Sequence, residues 1–519
     1  MSDAQHDYET FDEILHHWAK HRGDSTAFEQ DGRTTTYAEF DDLSHRVIAL
    51  FAQHGVGKGD RIAWLGKNSD AYGILTFAAA RVGVVMVPVG WRLAQPEIAY
   101  IIGDTGAKLV FVEDAFLDAA RTASQSVAGK PEVIEAHAAL EQARALEPAS
   151  YDPAGPEEAV LQLYTSGTTG NPKGAVLSNA NLLRLRIEGN RAGLPWNEYR
   201  EGDAMLVAMP CAHIGGTGLY SIGIANGIRC IVQAEFTPDG VLDAIESGAT
   251  HMFIVPAALQ MVVQHPRAAK TDFSSLRYLM YGAAPMPLEL LKEAVRTMPT
   301  TGFLQAYGMT ETTGTISLLP PDDHSTEGNT RMRSAGKAVP GAEIEVRGSD
   351  NKELPYGEIG EVCVRSPSNT AGYWNLPDAT RDTIDEDGWL HTGDAGIMDE
   401  DGYVYIQDRI KDMIITGGEN VYPAEVESAI YGHPAILEVA VIGVPSEKWG
   451  EEVKACCVPK PGATIDEADV IAYARERIAA FKAPKTIDVI DEMPRNATGK
   501  VLRRELRAPY WEGRERLVG

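Results

Sequence analysis

Residues 163–174 read Leu-Tyr-Thr-Ser-Gly-Thr-Thr-Gly-Asn-Pro-Lys-Gly, and no other stretch narrows the possible folds as far. The mostly apolar run 159–164 predicts a short strand. It feeds a loop carrying Thr165, Ser166, Thr168 and Thr169 together with Gly167, Gly170 and Lys173. Glycines permit positive φ and turn backbone N–H groups toward an anion, and hydroxyls add further donors. A polyphosphate suits such a loop. It is not the familiar P-loop, because Lys173 lies between Pro172 and Gly174 and the GK[ST] ending is absent. A Gly/Ser/Thr run taken alone is more often a plain flexible connector, so its meaning depends on what surrounds it.

What surrounds it is layered. Phe11, Ile14, Leu15 and Trp18 fall at i, i+3, i+4 and i+7, one apolar face of an opening helix. Apolar runs at 61–65, 84–89, 108–112, 228–232, 251–255, 277–280 and 302–306 alternate with helical patterns up to about residue 330. Stacked α/β layers with largely buried strands follow from that alternation. The stretch 147–158, rich in Pro, Ala and Glu, reads as a surface linker entering the phosphate loop. Between 341 and 365, Ile344, Val346, Ile359, Val362 and Val364 alternate with polar residues around Gly- and Pro-containing turns, which predicts a small β-barrel subdomain. Beyond about 408 the pattern becomes α+β: helix 424–431, strands 439–444 and 453–458, helix 466–480, strand 486–490. The expected fold class is α/β, with an N-terminal domain over 1–410 that includes the barrel-like part at about 331–407. A smaller α+β domain covers 411–519, and the boundary lies at 408–412.

Charge and cysteines exclude several classes. A formal net charge of −27 argues against nucleic acid and against tight docking on an anionic membrane. Cys211, Cys230, Cys363, Cys456 and Cys457 are scattered without CxxC spacing, which predicts a reduced, cytoplasmic enzyme without structural zinc. The polar, acidic start is not a signal peptide. The most apolar stretch, 73–91, is broken by Arg81 and Pro88 and reads as a helix followed by a buried strand, not as a transmembrane segment.

Four further segments lie downstream in order. They are Gln-Ala-Tyr-Gly-Met-Thr-Glu-Thr at 305–312, Gly-Trp-Leu-His-Thr-Gly-Asp at 388–394, the run 408–427 beginning Asp-Arg-Ile-Lys-Asp-Met, and Pro-Arg-Asn-Ala-Thr-Gly-Lys at 494–500. With the phosphate loop, this ordered set resembles the adenylate-forming superfamily: acyl-CoA synthetases, nonribosomal peptide synthetase adenylation domains and beetle luciferases. Within it the chain looks most like the bacterial fatty-acyl-CoA ligases, from roughly Thr36 to Arg504.

The resemblance implies roles. Thr165, Ser166, Gly167, Thr168, Thr169, Gly170 and Lys173 would cradle the β- and γ-phosphates of ATP. Tyr307 would stack on adenine, Thr310 would contact phosphate and Glu311 would ligate Mg²⁺, one carboxylate plus phosphates being its usual setting. Gly282, Ala283, Ala284 and Pro285 resemble the second adenine-binding loop. Asp394 offers two acceptor oxygens to two ribose hydroxyls. Arg409 resembles a ribose or phosphate contact, an ordinary salt bridge being the alternative, and His391 fills a variable slot without a role. Lys500 resembles the lysine that reaches the α-phosphate and the substrate carboxylate, where a long, flexible cation meets charge that develops in the transition state. Lys411 corresponds to the hinge on which a mobile C-terminal domain swings, and Gly417 and Gly418 would line the pantetheine tunnel. His213 matches a position that gates the thiol tunnel beside the acyl pocket; a satisfied core histidine is the plain alternative.

The implied reaction is acyl-CoA ligation: an acid and ATP give acyl-AMP and pyrophosphate, then coenzyme A takes the acyl group and AMP leaves. Pocket walls are expected around 213–219, 253–256 and 281–284, where no basic residue awaits a second carboxylate. Medium- or long-chain monocarboxylic acids come first, aryl or alicyclic acids next. Within 481–508 seven basic residues face four acidic ones, a local excess that suits coenzyme A. A stand-alone adenylation enzyme loading a carrier protein and a luciferase-like oxygenase are the competing functions. A non-catalytic nucleotide binder is disfavoured by Lys500, Glu311 and Asp394 occurring together. A homodimer is the assembly entertained.

Overall fold

In the computed structural model, which describes residues 7–165, 171–495 and 501–512, the alternation of strand and helix resolves into four sheets. The first has six strands in the order Glu132–Glu135, Leu109–Val112, Arg61–Gly66, Val85–Gly90, Ala159–Thr165, Lys173–Ser178. Five of these run parallel. The last pair is antiparallel, with Thr165 opposite Lys173. The second sheet has nine strands. Its parallel body runs from Gly302–Met309 through Tyr278–Gly282, His251–Ile254, Ala204–Val207 and Arg229–Val232 to Thr26–Gln30. Antiparallel strands flank it on both sides.

Helix Asp70–Arg81 lies between these two sheets with all of its residues buried. Tyr72 packs on Trp64 of one sheet and on Tyr220 of the helix behind the other, with ring centroids 5.5 and 5.4 Å apart. Arg81, which interrupts the apolar run in sequence, is 1% exposed and pairs with Asp12 at 2.7 Å and Asp41 at 2.6 Å. Pairing is what makes a buried guanidinium tolerable, and removing either partner would leave an uncompensated charge.

The segment expected as a small barrel is a four-stranded antiparallel sheet, Glu343–Arg347, Gly360–Arg365, Leu390–Met398, Val404–Arg409, with the first and last strands as its open edges. The last sheet centres on Ile436–Ser446 and Gly450–Pro459. With helices Pro423–Tyr431 and Glu467–Arg475 it encloses a separate core that includes Ile414, Val426, Val441, Val453 and Val470. The helix expected over 466–480 stops at Arg475. The chain must return to lay Thr486–Val489 beside Gly450–Pro459, and Pro484 disfavours helix at the residue before it. Among the described residues no helix is long and apolar enough to cross a membrane.

Candidate active site

Thr165, Gly282 and Tyr307 all stand at or near the C-terminal ends of parallel strands, the edge where open α/β sheets take ligands. The two large sheets are joined there by a side-chain bond. Thr165 Oγ1 donates to Glu311 Oε1 at 3.2 Å, and Tyr373 donates its hydroxyl to the same oxygen at 2.7 Å. Glu311 lies in the single turn Thr310–Thr312 and is 4% exposed. Among the described residues both hydrogen bonds to its side chain use Oε1, so Oε2 could meet a hard cation. Lys173 Nζ sits 5.1 Å from the centre of the Tyr373 ring.

A second carboxylate is built the same way. Tyr307 donates to Asp394 Oδ2 at 2.6 Å, and Arg409 Nε lies 2.8 Å from Asp394 Oδ1. Asp394 and Arg409 are directly opposed across strands Leu390–Met398 and Val404–Arg409, which fixes the pair in register. Arg409 Nη1 also donates to the carbonyl of Thr392 at 3.1 Å. Burial works against the Arg409 charge, yet Asp394, Tyr307 and Glu311 outweigh it and hold its pKa above the ordinary value. Burial, and then Asp394, push the Tyr307 hydroxyl well above the ordinary phenol range, so it stays a donor. Each carboxylate oxygen of Asp394 carries one partner and keeps a lone pair for a hydroxyl.

At the end of strand Tyr278–Gly282 the backbone leaves no room for a side chain at Gly282. A Cβ at Gly282 would stand 2.0 Å from the Ala306 carbonyl oxygen. Ala283 follows at φ +63°, a left-handed conformation that costs an L-residue roughly 1–2 kcal/mol. Ala284 and Pro285 continue this loop toward helix Leu288–Thr297. The small residues of this loop would leave its backbone open to a flat base. Ser166, Gly167, Thr168, Thr169, Gly170 and Lys500 lie outside the described residues.

The expected acid-pocket segments converge. His213 is the N-cap of helix Ile214–Ala225. A Cβ at Gly215 would lie 3.1 Å from the Phe253 ring, Phe253 pairs with Met280 across the sheet, and Ile214 lies 3.5 Å from the Cβ position of Gly314. The His213 Nε2 is buried without a hydrogen-bond partner among the described residues. Burial, aided by Arg92, pushes its pKa down to about 4, so the ring is neutral near pH 7. Behind it is a cavity of about 10 Å³ against Lys67, Trp91, Arg92 and Cys211, room for a single water at most.

Lys411 occupies the single turn Ile410–Asp412 that follows Arg409, and burial lowers its pKa. An ion-pair cluster brackets that turn: Arg503 Nη2 meets Glu427 at 2.8 Å and Arg507 Nη1 meets Asp412 at 2.9 Å. Arg503 Nη1 stands 3.7 Å from Asp408, whose carboxylate accepts from the Ala424 N–H at 2.9 Å. Burial pushes Asp408 up to about 6, Glu427 adding to the shift and Arg503 opposing it. Gly417 and Gly418 have φ of +62° and +87°, and a Cβ at Gly417 would meet the Trp449 ring at 2.9 Å.

One expectation needs correction. The basic excess within 481–508 is largely spent inside the molecule, because Lys482 pairs with Glu425, Arg495 with Glu438, Arg503 with Glu427 and Arg507 with Asp412. Sequence counting sees charges but not the carboxylates folded against them. Tyr373 was missed altogether. Its signal was the adjacent aromatic pair Tyr373-Trp374 in a loop. Trp374 is anchored by Arg61 stacked 3.2 Å from its ring centre and by its own Nε1 donating to the Asp104 carbonyl at 3.1 Å.

A family model for AMP-binding enzymes matches residues 15–374, and one for the AMP-binding enzyme C-terminal domain matches 425–500. A fatty acid–[acyl-carrier-protein] ligase of Streptomyces coeruleorubidus is 40% identical, with 96% of each chain covered. A feruloyl-CoA synthase of an Amycolatopsis species is 37% identical over 94% of this chain and 96% of its own. Among solved structures, ATP-bound MatB from Rhodopseudomonas palustris superposes with a TM-score of 0.85 at 33% identity, covering 94% of this chain and 96% of that one.

Proposed function

Because the chain belongs to the AMP-binding enzyme family and is an acid–thiol ligase, we propose that it activates a medium- or long-chain monocarboxylic acid as its adenylate and passes the acyl group to coenzyme A. One observation carries the reading. Two buried carboxylates, Glu311 and Asp394, are each braced by a tyrosine hydroxyl at one edge of the α/β layers. That pair of acceptors suits a nucleotide whose ribose meets Asp394 and whose phosphates extend toward Thr165 and Lys173.

A free carboxylate is a poor acyl donor, since its leaving group would be oxide. In the first step its oxygen attacks the α-phosphorus and pyrophosphate departs. In the second a thiol sulfur attacks the acyl carbonyl, the acyl C–O bond breaks with its electrons leaving on AMP, and the thiol proton goes to solvent. Tyr307 would lie against adenine beside Gly282 and Ala283, with Ala284 and Pro285 closing that loop. Thr310 and the 165–170 hydroxyls and N–H groups would hold phosphate. Arg409 would position Asp394. Lys500 would stabilise charge at the α-phosphate as it develops. Magnesium held by Glu311 would supply charge neutralisation on the phosphates. His213, neutral and beside the apolar walls, would border the acyl carbonyl. Lys411 would be the pivot between the two steps, with Gly417 and Gly418 lining the path of the thiol.

The test is AMP release with a panel of acids, with and without coenzyme A. Thioester formation should peak with apolar monocarboxylic acids; absence of pyrophosphate with every acid overturns the reading. The 40% relationship to a carrier-protein ligase favours a second acceptor. Acyl transfer to a holo carrier protein at rates above those with coenzyme A would select it. Lys411→Pro should leave pyrophosphate release close to wild type and stop thioester formation, since one dihedral must absorb the rotation. Equal losses in both steps would remove the hinge assignment.

A further inference from the structure

Away from the nucleotide, the open antiparallel sheet holds a constellation that the reaction does not use. Cys363 and His391 are directly opposed cross-strand partners, and Glu361 lies two residues before Cys363 on a strand whose regular pairing with Glu343–Arg347 puts both on one face, although the register toward Leu390–Met398 shifts between them. One ligand atom from each lies within 4.8 Å of the other two. His391 Nδ1 is 3.5 Å from Cys363 Sγ and 2.8 Å from Glu361 Oε2.

We propose that Glu361, Cys363 and His391 form a binding site for Zn²⁺, with water as the fourth ligand, separate from the magnesium expected at Glu311.

A tetrahedral zinc with ordinary Zn–S and Zn–N bonds separates the two ligand atoms by about 3.5 Å, the separation already present between Cys363 Sγ and His391 Nδ1. The nitrogen–oxygen edge of such a tetrahedron is about 3.3 Å, so the Glu361 carboxylate has to withdraw by about half an ångström. The outer shell is in place. Glu361 Oε1 is fixed by the Gly393 N–H at 2.9 Å. On the far side of the imidazole, Asp385 Oδ2 stands 3.7 Å from His391 Nε2, an ion-pair distance that must shorten for a hydrogen bond, while Oδ1 of the same carboxylate accepts from the N–H groups of Asp387 and Trp389. A carboxylate behind the distal nitrogen is the usual way a ligating histidine is oriented. Arg347, the nearby cation, is already paired with Glu345 at 2.8 Å and Asp385 at 3.3 Å. Without metal the Cys363 thiol is held protonated by burial and by Glu361 beside it. On binding, its proton leaves to solvent and the dication offsets both negative ligands. All five cysteines are buried, and among the described residues the other four have no such carboxylate–imidazole pair beside them.

The experiment is titration of the whole protein with Co²⁺ as a spectroscopic stand-in, followed by Zn²⁺ competition. One equivalent of Co²⁺ should give thiolate-to-cobalt charge-transfer absorption that Zn²⁺ abolishes. Cys363→Ser should remove the absorption, and His391→Asn should weaken zinc binding at least about tenfold. Zn²⁺ should raise the thermal midpoint of the wild type by binding the folded state, and should leave that of Cys363→Ser unchanged. Cys456→Ser, a control, should keep both responses. Absorption that persists in Cys363→Ser, or none in the wild type, overturns the site. The readouts involve no turnover, so their failure is distinct from failure of the ligase reading.

Discussion

The proposed nucleotide side and the proposed acid side of the site are built on opposite plans. On the nucleotide side each functional carboxylate has its own tyrosine, and Arg409 or Thr165 completes the set, so position is set by directional bonds. On the acid side Phe253, Met280 and Ile214 meet around glycines, and the one polar ring, His213, leaves a nitrogen unpartnered among the described residues. Directional bonds tolerate little substitution, whereas an apolar wall reshapes with one side chain. The chemistry of activation should therefore be hard to change and the choice of acid easy.

That contrast is open to attack at both ends. The largest effect should come from Lys500→Ala, with acyl-AMP formation from free acid and ATP falling about 10²–10³-fold for every acid tested. Pre-made acyl-AMP should still be converted to thioester. Losses that differ from acid to acid would blur the division between the two sides. Next, Phe253→Ala should change the ranking of acids toward longer or bulkier ones by about tenfold in kcat/KM. The ATP KM should stay put, and an equal change there would break the comparison. Tyr307→Phe keeps the ring against the base but removes the brace on Asp394, so the ATP KM should rise about two- to tenfold with the acid ranking unchanged.

The smallest effect on turnover belongs to Asp408, outside both walls. Its folded pKa is raised from 3.8 to about 6. Between those values the unfolded chain releases this proton first, so the native state binds more protons and stability falls as pH rises through the window. The contribution is on the order of 3 kcal/mol. Urea midpoints at pH 4 and 6.5 should show a component of that sign that is missing in Asp408→Asn; a midpoint difference unaltered by the substitution removes the assignment.

Much of this molecule was legible in the sequence, for definable reasons. Parallel strands buried on both faces read as short apolar runs, and those at 61–65 and 84–89 lie within a residue of Arg61–Gly66 and Val85–Gly90. The helix of the 73–91 stretch was legible despite Arg81, whose partners Asp12 and Asp41 lie far off in sequence. Long-range pairing is what local pattern cannot supply. The same limit hid Tyr373, which reaches Glu311 across 62 residues, and it inflated the apparent basic excess near the C-terminus. It also hid the Glu361, Cys363 and His391 cluster, because strand pairing rather than ligand spacing brings its members together. The barrel expectation came from hairpin turns, which fix neighbouring strands but do not say whether the outermost two meet.

Asp394 and Arg409 share one rung of a β-ladder, and Lys411 follows only two residues later. On the proposed reading, the group that grips the ribose would thus be fastened almost directly to the pivot. Arrival or departure of the sugar would tug on the axle itself, with no relay through the body of the protein required.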